Sequence, residues 1–152
     1  MESFPPPPDD ETAEQAAIRE GWMNYWKVYD KFTADPFVTD FTETQLVTVS
    51  GSDQARVILD VLQRLREGGW KVVGSHIFRD YRVLEGPSDS GDVSTAIVSY
   101  CYDGRQKRLV DALTGADVET TAADTYVETA KLEKGLDGIW RVSLIGNEAL
   151  TC

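Results

Sequence analysis

Residues Gly91–Gly104, GDVSTAIVSYCYDG, constrain this chain more than any other stretch. An apolar, β-branched run bracketed by glycines reads as a central strand of a sheet, and it carries Cys101, one of only two cysteines. The other, Cys152, is the last residue. Two such thiols can form a structural disulfide, stand as two unrelated buried thiols, or act as a redox pair. No Cys-x-x-Cys spacing supports redox chemistry, and two cysteines with the single His76 are too few for a metal site, so no metal is expected. A Cys101–Cys152 disulfide is the expectation carried forward, and it favours an oxidising compartment.

The elements around this strand follow from local pattern. Thr12 and Gln15 make a capping box, with Asp9, Asp10, Glu11 and Glu14 placing negative charge at a helix N-terminus. Ile18, Trp22, Tyr25, Tyr29 and Phe32 then recur at steps of four and three, one face of a helix running to about Thr33, where Asp35-Pro36 ends it. Residues Pro36–Val49 fit a short helix or an irregular segment. Ser50–Asp53 supplies a second cap, and Ala55, Ile58, Leu59, Leu62 and Leu65 make a second amphipathic helix that Gly68-Gly69 stops.

From Trp70 the pattern is that of strands: Trp70–Glu85 with a bend at Gly74, a turn cluster over Gly86–Gly91, then Val93–Tyr102 and the tight-turn pair Asp103-Gly104. Arg108–Leu113, Thr125–Leu132 and Ile139–Ile145 complete the set. Strands joined by short turns form an antiparallel sheet, and helices segregated from it make an α+β domain. The expected fold is a long N-terminal helix and a second helix packed on a bent antiparallel sheet of four to six strands. Residues 1–11 are expected to be a flexible, proline-rich acidic tail, and residues 12–152 a single domain.

A chain of 152 residues can bury a real core, about 70% of its unfolded surface. The net charge of −11 excludes nucleic acid as an expected partner, because phosphate affinity comes from Lys and Arg, and it also disfavours an anionic membrane surface. MESFPPPP has neither the basic nor the apolar region of a signal peptide, and four prolines followed by acidic residues make a stiff spacer. We expect a longer native chain whose export or lipidation signal precedes Met1, which would be the only membrane attachment. The alternative is a cytoplasmic protein.

The aromatic first helix, the second helix and a sheet ending in Gly138-Ile139-Trp140-Arg141-Val142 resemble the NTF2-like, cone-shaped superfamily. Strand Ala96–Cys101 leading into Asp103, the segment Val110–Gly115 and the tail ending at Cys152 resemble, more narrowly, exported or lipoprotein-type members from actinobacteria and their phages. The resemblance implies a concave pocket between helix and sheet, in a superfamily holding isomerases, dehydratases and hydrolases beside members without chemistry. It implies no cofactor here.

Dehydratase-like relatives would pair His76 with a carboxylate and a tyrosine. Isomerase-like relatives would use a helix tyrosine, here Tyr25 or Tyr29, with a carboxylate such as Asp40, Asp53 or Asp111. A buried strand histidine and an aromatic core account for the same residues, as core packing does for Trp22, Trp26, Tyr29 and Tyr81, which could also line a small-molecule pocket. The expectation is a non-catalytic binding or interaction domain, monomeric or homodimeric, of an exported envelope protein. A lipid anchor and a phage or prophage origin belong to it, and its partner is a protein or a small apolar ligand. A pocket enzyme of the isomerase or dehydratase type is the alternative.

Overall fold

A computed structural model describes residues 3–90 and 93–152. The capping box forms as the sequence requires: the Gln15 amide donates to Thr12 Oγ1 at 3.1 Å and the Thr12 amide to Gln15 Oε1 at 3.0 Å. Helix α1 (Ala13–Ala34) follows and buries Ile18, Trp22, Tyr25, Trp26 and Phe32. Gly21 lets it approach the sheet, since a Cβ there would stand 2.5 Å from the carbonyl oxygen of Trp140. After a 3₁₀ turn over Thr42–Leu46, helix α2 (Asp53–Gly68) starts at the Ser52 cap and ends at Gly69 in the left-handed conformation.

Among the described residues six strands follow, paired antiparallel: β1 (Trp70–Gly74), β2 (Ile77–Ser90), β3 (Val93–Asp103), β4 (Lys107–Asp111), β5 (Thr125–Lys134) and β6 (Trp140–Glu148). They form a four-stranded sheet in the order β2-β3-β5-β6 and a two-stranded sheet of β1 and β4. The fold is thus the expected α+β cone, two helices packed on a bent antiparallel sheet. Strand β3 is internal, paired on both edges, and its Cys101 is bonded to Cys152 with Cα atoms 5.8 Å apart.

Three boundaries depart from expectation. Trp70–Glu85 is two strands, because Gly74 takes φ +82° and turns the chain out of one sheet and, beyond Ser75-His76, into the other. The Gly86–Gly91 turn cluster is instead largely strand: β2 continues through Ser90 across bulges and a cis Gly86-Pro87 bond. Gly91 itself, like Asp92, Met1 and Glu2, lies outside the described residues. Asp103-Gly104 does not close a β3-β4 hairpin, since β4 pairs with β1 and Asp103 is held by Arg79 and Arg105.

The proline-rich start, read as a solvated spacer, has contacts with the domain. The Ser3 carbonyl accepts from the Phe78 amide at 2.8 Å, and the Phe4 ring stacks on Phe78 and meets Trp22 edge-on. Glu11 pairs with Arg19 at 2.8 Å. Phe4 is half-buried, so Phe4→Ala is expected to cost about 1–2 kcal/mol, less than a fully buried Phe, measured by urea denaturation.

Candidate functional site

The aromatic stripe of α1 fills the narrow part of the cone. Trp22 is wholly buried among Phe4, Phe78, Tyr81 and Tyr100, so it is a core residue rather than part of the cavity walls that lie beyond it. One turn further on, the helix and sheet diverge. Here two adjoining cavities of about 260 Å³ and 380 Å³ share Tyr29, Val61, Tyr102 and Tyr126 on their walls.

The smaller cavity is built from five elements: α1, α2 and strands β3, β5 and β6. Helix α1 contributes Tyr25, Trp26 and Tyr29, and α2 contributes Gln54, Val57 and Val61. Strand alternation on β5 sends Tyr126 and Glu128 to the face that also carries Ala130 and Leu132. Register places Glu128 opposite Tyr100 on β3 and Asn147 on β6. A carboxylate therefore stands in an inward, otherwise apolar row.

Several of its neighbours are already engaged. Gln54 Nε2 donates to Tyr25 Oη at 2.6 Å, while Gln54 Oε1 accepts from the Ile145 amide at 3.1 Å. Lys107 Nζ donates to Tyr102 Oη at 2.8 Å and the Ala123 amide to Tyr126 Oη at 2.8 Å. Glu128 is 4% exposed, and its Oε1 meets no donor at hydrogen-bonding geometry among the described residues. Tyr100 and Asn147 stand close enough to pull its pKa down. Burial outweighs them and pushes the carboxyl up to about 7. Burial likewise raises Tyr29 to about 12 and Tyr25 further, so both phenols are neutral at physiological pH.

His76 is fully buried in a box of Trp26, Phe78 and Tyr102 rings at 4.7–5.1 Å. Its Nε2 lies 3.3 Å from Asp30 Oδ1, yet the angle makes no hydrogen bond. Burial holds its pKa down to about 2, so the ring is neutral at any ordinary pH. It is absent from the walls of both cavities. Asp111 is equally remote: its carboxylate accepts from the Leu113 and Thr114 amides at 2.9 Å, the work of a turn residue. Asp40 likewise accepts from the Thr42 amide, and Asp53 pairs with Arg56 on the surface.

Of the residues expected to line a pocket, Trp26 and Tyr29 converge on the smaller cavity, together with Tyr25, a candidate proton donor. Tyr81 faces a separate groove beside Cys101 and Cys152. Glu128 was not among the expected residues. The signal that would have found it is the alternation of Tyr126, Glu128, Ala130 and Leu132, in which one charged residue takes an inward slot.

No family model and no curated protein matches this sequence. Solved structures match it in fold. The intermembrane space region of the chloroplast protein ARC6 is similar over 92% of this chain and 98% of its own, at 11% identity and a TM-score of 0.56. A ketosteroid isomerase-like protein from Erwinia carotovora atroseptica is similar over 93% and 100%, at 16% identity and TM-score 0.54. An NTF2-like superfamily protein from Salmonella enterica serovar Typhimurium is similar over 92% and 95%, at 14% and 0.50. These likenesses establish an NTF2-like fold, and at such identities they establish the fold alone.

Proposed function

We propose that this NTF2-like chain is a non-catalytic binding domain of an exported protein and that it receives a small, largely apolar ligand between α1, α2 and the sheet. The observation that carries this reading is the cavity beyond Trp26, walled by aromatic and aliphatic side chains, whose lining residues Trp26 and Glu128 each keep a buried polar atom without a hydrogen-bond partner among the described residues, the composition of a small-molecule site. The Cys101–Cys152 bond supports export, because such bonds persist in oxidising compartments. Tethering through the proline-rich start, a lipid anchor, and an actinobacterial phage or prophage origin belong to the same proposal and rest on the sequence resemblance. A neighbour from an intermembrane space is compatible with it. No helix among the described residues is long and apolar enough to cross a membrane.

The test uses 2-phenylethanol as a neutral aromatic probe, followed by tryptophan fluorescence and backbone amide shifts. Saturable binding is expected, with shifts centred on Tyr29, Tyr126 and Glu128. Val61→Trp, which fills the cavity wall, should remove it. A wild-type chain that shows no saturable response, or a Val61→Trp chain that binds unchanged, would sink the reading.

One observation favours an enzyme instead. A carboxyl with a pKa near 7 beside two phenols is suited to move a proton near neutral pH. Under that reading the protein would speed exchange of deuterium into the α-carbon of 4-phenyl-2-butanone, and Glu128→Gln would abolish the acceleration. Under the binding reading wild-type and variant chains leave the exchange rate at that of buffer.

A further inference from the structure

We propose that the Glu128 cavity takes a small organic ammonium ion, with its charged head on the Glu128 carboxylate and its apolar body against the rings of Tyr25, Trp26 and Tyr29. This rests on the reading of the cavity as a binding site and adds the chemical class of the ligand.

The charges around the cone mouth do not balance. Two carboxyl groups, Asp30 on α1 and Glu128 on β5, face a single ammonium, Lys107 on β4, while Arg105 and Arg108 on the wall of the adjoining cavity are already paired with Asp103 and Asp117. His76 is neutral, and the nearby phenols of Tyr25, Tyr29, Tyr100 and Tyr102 are neutral as well. Lys107 is already occupied. Its Nζ donates to Tyr102 Oη and stands 5.3 Å and 5.4 Å from the ring centroids of Tyr29 and Tyr102, and Asp30 is the carboxylate that acts on it most strongly. One carboxylate is left over, and it is the more buried of the two.

A buried charge without a partner is costly, so the group that fits this place best is a cation. A neutral ligand leaves the carboxylate unpaired and an anion adds repulsion. The wall that the two cavities share suits an ammonium, since Lys107 in the larger cavity is held by the Tyr102 phenol oxygen and by the faces of Tyr29 and Tyr102 within the range of cation–π attraction. The cavity offers Glu128 the same kind of surroundings from Tyr25, Trp26 and Tyr29. Its volume of about 260 Å³ restricts the occupant to a small molecule. The net charge of −11 draws cations toward the whole surface.

Three probes of one shape separate the alternatives: 2-phenylethylamine, 2-phenylethanol and 3-phenylpropanoate, titrated by calorimetry at about pH 8 and about pH 5. At the higher pH the amine is expected to bind about tenfold tighter than the alcohol, with the propanoate not binding. Its affinity should fall about tenfold at the lower pH, where Glu128 takes up a proton and ceases to be an anion, Asp30 beside Lys107 does the same, and the amine stays charged. Glu128→Gln should erase the preference for the amine over the alcohol. The wild-type pH series needs no variant, so the proposal stays falsifiable should the substitution disturb folding. If alcohol and amine bind alike and Glu128→Gln changes neither, the cation assignment falls while the cavity remains a binding site. A preference for the propanoate, or an amine preference that survives in Glu128→Gln, also overturns the assignment. If none of the three binds, both readings fall together.

Discussion

Reducing the Cys101–Cys152 bond, or replacing both residues in a Cys101→Ala/Cys152→Ala pair, is expected to lower folding stability by about 4 kcal/mol. The bond spans 51 residues of sequence, and closing a loop of that length removes conformational freedom from the unfolded chain far more than from the native one. The native chain end is also held without it: Arg79 Nη2 donates to the Cys152 carbonyl at 3.0 Å, and Thr125 Oγ1 donates to the Leu150 carbonyl at 2.6 Å. The reduced protein should therefore keep its fold at room temperature and melt about 10 °C lower, the shift expected for a loss of this size in a chain of this length. Denaturation with and without reductant measures the difference, and mass spectrometry after alkylation reports the thiol state. Alkylation of both cysteines without reductant, or equal midpoints in the two conditions, would show that no bond clasps the sheet.

The Glu128→Gln variant is expected to be more stable than the wild type at about pH 8, by about 2–4 kcal/mol. The sign follows from proton uptake. Glu128 has a folded pKa of about 7 against 4.5 for the free side chain, so between those values the folded state holds a proton that the unfolded state has released. The stability contributed by that proton is present in full below about pH 4.5 and is lost as pH rises through 7. Gln is the near-isosteric mimic of the protonated acid. The two proteins should therefore match at about pH 4.5 and diverge as pH rises.

His76 acts in the opposite direction. Its folded pKa is lowered, so its contribution is present above 6.5 and declines as pH falls toward 2. Asp30, raised to about 6 and partly exposed, acts in the same sense as Glu128 but with its effect reduced by solvent. Both are common to the two proteins, so the difference between their urea-denaturation curves isolates Glu128. A variant that is less stable than wild type at about pH 8 would mean that the native carboxylate is well paired, which would also remove the charge argument for an ammonium ligand.

Stability and ligand recognition are thus expected to pull apart at one residue. Replacing Glu128 should strengthen the fold and erase the cavity's preference for a cation. Such opposition is typical of groups kept for binding, where an unsatisfied buried charge is tolerated because a partner satisfies it.

Much of this architecture was legible in the sequence. Thr12 with Gln15, the Ile18–Phe32 stripe and Gly68-Gly69 located both helices, because caps and a period of 3.6 are local signals carried by the residues themselves. The β-branched run after Gly91 identified an internal strand, and a chain with two cysteines leaves one possible intramolecular pairing.

Turns and strand partners were less legible. Gly74 reads the same whether it bends one strand or passes the chain to another sheet, and Asp103-Gly104 reads as a hairpin although β4 finds its partner in β1. Local pattern says which residues an element buries, whereas pairing depends on contacts between residues far apart in the chain.

The same division applies to the site. By itself the sequence determined that Tyr25, Trp26 and Tyr29 share an inward helix face, that Cys101 sits in a central strand, and that the chain is acidic and compact enough to hold a core. Only the tertiary structure decided that His76 is sealed behind Trp26 and Tyr102, that Asp111 serves a turn, and that Glu128 meets Asn147 and the α1 aromatics at one cavity. The physical reason is that burial and the pKa it shifts belong to the surroundings of a group, and those surroundings come from five elements that adjoin only once the sheet has closed around the helix.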